Sequence, residues 1–193
     1  FFSYFRELIC YSAPTFAIMK FSILIVTMMA STANALFMPL QSLAVGESFP
    51  ASALSKWGLK GKKGVVYFYG ADDAPSCSKQ NSAFDESLPE FKAKGFAVVG
   101  VRNAKGAKGA DVSQKLVVDE DDEVRNEIGI PKDFFLLGGR ETYVLNSKGE
   151  VELVFNSQFE PEKHVQKALA MAEEMQEAPA QNPIAELLAS FSK

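Results

Sequence analysis

One histidine, His164, and two cysteines, Cys10 and Cys77, stand in a chain of 193 residues. A single imidazole cannot furnish a His-based metal site, and it makes a serine triad a poor expectation. Two cysteines cannot build a disulfide framework, and their spacing suits no zinc ribbon. Net basic charge is also missing. The formal charge is −4, which weighs against a nucleic-acid binder, since such proteins carry a basic face. There is no series of long hydrophobic runs for a multi-span membrane protein, no collagen-like repeat and no extended disorder-prone stretch. What is there, 47% hydrophobic and 23% charged, is the composition of one globular domain with tails. Most hydrolytic chemistries are short of side chains. A lone thiol is available.

The chain begins with Phe1, and its first methionine is Met19. Met19-Lys20, an apolar run from Phe21 to Met29 and the small-residue end Ala30-Ser31-Thr32-Ala33-Asn34-Ala35 match a secretory signal peptide. The pattern predicts a start at Met19 and cleavage after Ala35, with residues 1–18 as an upstream extension. Cys10 would then be lost, leaving Cys77 as the thiol of the mature chain. A retained anchor is the alternative. Residues 36–59 are expected to be a transit and linker segment, 60–177 the folded domain, and 178–193 a linker with a short amphipathic tail, Ile184 to Lys193.

Within 60–177, Val65-Val66-Tyr67-Phe68-Tyr69 predicts a buried strand. Gly70 to Ser76 is a loop, and Pro75 favours a helix start. Ala83, Phe84, Leu88 and Phe91 fall at helical spacing, with Gly95 at the C-terminal cap. Phe96 to Val101 predicts a strand covered on both faces. Asn103 to Ala110, with its repeated Lys-Gly-Ala, is expected to be a flexible connector, and Leu116-Val117-Val118 a third strand. Asp119 to Glu127 reads as an acidic helix start that suits the helix dipole, and it lacks the central glycine of a calcium loop. Glu141–Leu145 and Val151–Phe155 flank the turn Asn146-Ser147-Lys148-Gly149 as a hairpin, and Pro161 opens a helix through Met175. This order predicts an α/β fold whose central mixed sheet, parallel in its first half, is closed by an antiparallel hairpin and flanked by helices.

Cys77 follows a strand and sits at the expected helix start. The thiolate is the nucleophilic form of cysteine, and helix N-terminal amides or a nearby guanidinium favour it. On the residues alone, a buried small hydrophobe remains the competing reading of a lone cysteine.

The stretch Tyr67-Phe68-Tyr69-Gly70-Ala71-Asp72-Asp73-Ala74-Pro75-Ser76-Cys77-Ser78-Lys79-Gln80-Asn81-Ser82-Ala83-Phe84 resembles the active-site segment of peroxiredoxin Q, the bacterioferritin-comigratory-protein branch of the peroxiredoxins. Asp119 to Asn126, Gly139-Arg140-Glu141-Thr142-Tyr143-Val144-Leu145 and Asn156 to His164 resemble its plastid members, so the resemblance covers about residues 60–175. It implies a thioredoxin-like fold and a peroxidase for hydrogen peroxide and alkyl hydroperoxides. It implies no metal, haem or other cofactor. Cys77 matches the cysteine that becomes a sulfenic acid and is regenerated by thioredoxin or another thiol. Arg140 matches the arginine that holds thiolate and peroxide. His164 is expected to have a local structural or surface role.

The chain also departs from that pattern. Gly70 and Ala74 stand where the family carries a proline and a Thr or Ser, while Pro75 is kept. A hydroxyl hydrogen-bonded to the thiolate contributes about 1.5–3 kcal/mol, or roughly ten- to a hundredfold if felt in the transition state. Ser82 occupies the position of the resolving cysteine and cannot form a disulfide. The expectation is therefore a one-cysteine peroxidase. The alternative is a catalytically weakened peroxiredoxin-like protein, acting as a thiol sensor or as an accessory subunit of a larger photosynthetic assembly, with Ile184–Lys193 as its docking element. A plastid reached through an endomembrane signal peptide is the expected compartment, with secretion as the alternative.

Overall fold

Val65, Val66, Tyr67 and Phe68 are all fully buried, which makes the first strand the spine of the protein. The computed structural model describes residues 42–132 and 138–177. In chain order the described elements are α1 (Ala51–Trp57), β1 (Lys63–Phe68), α2 (Pro75–Glu86), α3 (Leu88–Ala93), β2 (Phe96–Asn103), β3 (Lys115–Asp119), α4 (Glu123–Glu127), β4 (Glu141–Leu145), β5 (Val151–Asn156) and α5 (Pro161–Glu177). Their five strands form one sheet in the order β3-β2-β1-β4-β5. β2 runs parallel to β1 and β3, whereas β4 runs antiparallel to β1 and β5.

The period of two in β1 divides the core. Val66 and Phe68 meet Trp57, Val99, Val124 and Tyr143 on one face. Val65, Tyr67 and Tyr69 meet Phe84, Phe91, Val165 and Ala168 on the other. With no polar face to spare, β1 is a continuous apolar run. The mixed sheet flanked by helices is the architecture the sequence predicts.

Several expectations change. The linker assigned to 36–59 does not hold for residues 42–59. Phe49, Ala53, Leu54, Trp57 and Leu59 are buried in the first core cluster, and Phe49 N donates to Gly149 O. A helix as short as α1 is marginal alone and forms because its apolar side is packed. The single helix read from Ala83 to Phe91 is two, α2 and α3, broken at Ser87. Pro89 has no N–H for the helical ladder, so α2 stops and α3 restarts with that proline in its first turn.

The acidic stretch from Asp119 is also more irregular than a helix start. Asp119 ends β3, Glu120–Asp122 make a 3₁₀ turn in which Asp121 and Asp122 take left-handed φ of 54° and 57°, and only then does α4 begin. The Asp119 carboxylate accepts from Val124 N at 3.0 Å and Arg125 N at 2.9 Å, giving two unpaired helix amides a partner. The signal peptide, its cleavage site, Cys10 and the tail from Ile184 lie outside the described residues.

Candidate functional site

β1 ends at Phe68 and delivers Tyr69 and Gly70 to the C-terminal edge of the sheet, where the next residues turn into α2. Ala74 is extended (φ −75°, ψ 128°) and caps the helix with no side-chain hydrogen bond, and Pro75 opens it. Cys77 is the third helical residue, 4% exposed. The Gly70 backbone lies against its sulfur: a methyl at Gly70 would sit 3.9 Å from Cys77 Sγ.

Arg140 reaches the same point from the other side of the chain, immediately before β4, and is 1% exposed. Its Nη2 donates to Cys77 Sγ at 3.3 Å and to Ser76 Oγ at 2.8 Å, while Nη1 donates to Ser76 O at 3.3 Å. A buried guanidinium at this range stabilises negative charge on sulfur. Both residues expected at the chemical centre are brought together. Gly70 and Ala74 line the same cleft, about 300 Å³ in volume, together with Ser76, Cys77, Lys105 and Gln158.

Ser82 is placed elsewhere. Five residues at about 100° each carry it roughly 140° around the helix from Cys77, into a shallow groove shared with Lys79 and Glu162. His164 is buried between α5 and the sheet. Its Nε2 meets the Ser157 carbonyl at 2.8 Å and must carry the proton, so Nδ1 accepts from Thr142 Oγ1 at 2.8 Å. The role is structural.

Two features escaped the sequence reading. Ser76 supplies a hydroxyl to the guanidinium, and nothing local marks it. The segment Asn103–Ala110 is no loose connector: it is stitched to the loop before Cys77. Asp72, 5% exposed, accepts from Lys108 N and Gly109 N at 2.9 Å each through Oδ2. Its Oδ1 accepts from Tyr69 OH at 2.6 Å and pairs with Arg102 at 3.3 Å. Burial pushes the Asp72 carboxyl upward, but the Tyr69 hydrogen bond, the two amides and Arg102 outweigh it and hold the group below its ordinary value. Asp72 N also donates to Gly106 O at 2.9 Å. A Cβ at Gly106 would fall 2.0 Å from Gly70 O, so only glycine permits this backbone crossing. That glycine within the Lys-Gly-Ala repeat is the signal the composition hid.

Solved structures share this arrangement of elements. Peroxiredoxin Q of Xanthomonas campestris aligns with a TM-score of 0.57 at 20% identity, covering 68% of this chain and 99% of that one. Mycobacterium tuberculosis AhpC aligns at 0.58 and 18% identity, covering 74% and 98%. These likenesses establish a thioredoxin-like fold. In sequence, a protein named chloroplastic peroxiredoxin Q from Sedum lineare is 44% identical over 136 residues, 67% of this chain and 72% of that protein. One of the same name from Populus jackii is 42% identical over 130 residues, 64% of this chain and 60% of its own length. The model of the AhpC/TSA family matches residues 41–154. With that match spanning more than half its length, the chain belongs to the AhpC/TSA family, in the peroxiredoxin Q branch.

Proposed function

We propose that this chain is a thiol-dependent peroxidase that reduces hydrogen peroxide and alkyl hydroperoxides through Cys77 alone. The observation that carries the reading is the 3.3 Å contact between Arg140 Nη2 and Cys77 Sγ at the edge of an open cleft. The thiolate attacks one peroxide oxygen and the O–O bond breaks. The sulfur is oxidised to a sulfenic acid, and the departing oxygen takes a proton to leave as water or an alcohol. Arg140 and the first turn of α2 hold the charge that shifts from sulfur to oxygen. An external thiol then condenses with the sulfenic acid, releasing water, and a second thiol, from thioredoxin or a comparable reductant, reduces the mixed disulfide. Ser82 cannot take the resolving part. The names of the relatives support placement in a plastid.

The test is peroxide consumption by the full chain with dithiothreitol or thioredoxin, beside Cys77→Ser. Turnover that disappears with the substitution is the expected result. A folded protein no faster than its Cys77→Ser variant would sink the reading. A second reading, a weakened peroxiredoxin serving as thiol sensor or as accessory subunit docked through Ile184–Lys193, is favoured by one observation: Ala74 caps α2 without a hydroxyl.

A further inference from the structure

We propose that Arg125, a residue with no contact to Cys77 among the described interactions, is a positioning residue that sets Arg140 against the thiol. The inference deepens the peroxidase reading and rests on Cys77 being the reacting group. Arg125 is 2% exposed. Its guanidinium forks between two backbone carbonyls that bracket the site. Nη1 donates to Gly139 O, the residue before Arg140, and Nη2 donates to Tyr69 O at 3.0 Å, the residue before Gly70. One planar cation thus spans the segment that carries the wall of the thiol and the segment that carries its cation.

The fork is itself fixed from every side. Asp122 Oδ1 pairs with Arg125 Nε at 3.2 Å, the Phe68 ring lies 5.3 Å below the guanidinium carbon, and Arg125 N is held by Asp119. The Gly139 segment is clamped as well: a Cβ at Gly139 would fall 2.0 Å from Pro131 O. A rigid fork with several donors can hold two carbonyls at a set spacing, whereas the compact ammonium of lysine cannot reproduce that geometry. The irregular Asp119–Asp122 turn acquires a purpose on this view. It places one carboxylate on the Arg125 amide and another on its Nε.

The experiment separates positioning from charge. Arg125→Lys keeps the cation, so a purely Coulombic effect on Cys77 would persist. The full chain with Arg125→Lys is compared with the parent, with Arg140→Met and with the double variant. The readings are the rate of Cys77 with hydrogen peroxide and the pH profile of Cys77 labelling by iodoacetamide, followed by peptide mass. Expected are a rate lower by about tenfold, a labelling profile displaced to higher pH, and both effects shrinking below about twofold in the Arg140→Met background, because coupled sites are not additive. An unchanged rate and profile in folded Arg125→Lys would overturn the proposal. So would a loss of equal size with and without Arg140. If Arg125→Lys does not fold, Asp122→Asn decides, since it removes the carboxylate paired with Arg125 Nε while keeping the Arg125 charge. A smaller slowing that vanishes in Arg140→Met supports the proposal, and no slowing overturns it. Labelling requires no peroxide. Coupling seen in a protein without turnover would sink the peroxidase reading and leave this one standing.

Discussion

At the scale of single residues, the contribution of Arg140 is directional as well as electrostatic. Nη2 serves Cys77 Sγ and Ser76 Oγ while Nη1 reaches Ser76 O, and a planar fork with two terminal nitrogens holds all three. Arg140→Met is expected to slow the reaction of Cys77 with peroxide by about ten- to a hundredfold, the worth of one charge-assisted hydrogen bond felt in the transition state. Arg140→Lys should recover only part of that loss. Stopped-flow kinetics would check both, and equal rates for lysine and arginine would show that charge alone suffices. Cys77 and Arg140 were legible because their surrounding motifs resemble a known family. Ser76 was not. Its partner lies 64 positions away in sequence, and the apposition exists only after β1 and β4 have paired.

At the scale of elements, α2 begins with a defect that can be repaired. Ala74 has the extended backbone of a capping residue but no side-chain acceptor. Ala74→Ser should therefore stabilise the protein by about 1 kcal/mol, seen as a higher urea midpoint at unchanged slope. It should also raise the rate with peroxide, since the hydroxyl enters the cleft that Ala74 already lines. A destabilised Ala74→Ser protein would contradict the assignment of this residue as the cap.

The connector after β2 makes a second test. Asp72→Ala removes the acceptor of two loop amides and strands the Tyr69 hydroxyl and Arg102 in a buried setting. A loss of about 3 kcal/mol is expected, with faster amide exchange at Lys108 and Gly109. Slow exchange there in the variant would show that the loop is held by something else. Composition alone reads Lys-Gly-Ala repeats as solvated chain, because the anchoring carboxylate belongs to a different loop. The same reason hid α1. Its seven residues carry too little periodicity to announce a helix, and its apolar side chains pack in one cluster with Val66, Phe68 and Tyr143 of β1 and β4. The strands, each apolar over consecutive residues or bounded by a turn signal, were legible from local pattern.

At the scale of the whole molecule, His164 links α5 to β4 and to the turn before α5, and it does so as a neutral imidazole. Burial pushes its pKa down to about 4; the hydrogen bond to Ser157 opposes this, and the charge of Arg140 adds to the depression. In the unfolded chain the imidazole regains its ordinary value near 6.5. Between those values the unfolded state binds a proton that the folded state refuses, so stability falls as the pH falls. The full contribution is present above about pH 6.5. It is lost progressively on acidification toward pH 4, and below that both states are protonated and no more is lost. The loss amounts to at most about 3 kcal/mol. Asp72 acts in a lower window. Its folded carboxyl is held below the usual range, so the stability it adds is present above about pH 4 and lost only beneath it. Urea unfolding at a series of pH values from 7.5 to 4.5 therefore isolates the imidazole. The wild-type free energy should decline across that interval, and His164→Gln, whatever its stability at pH 7.5, should be nearly flat. A parallel decline in the variant would assign the acid sensitivity to other groups, and the neutral histidine would then be a packing element without a part in the pH response.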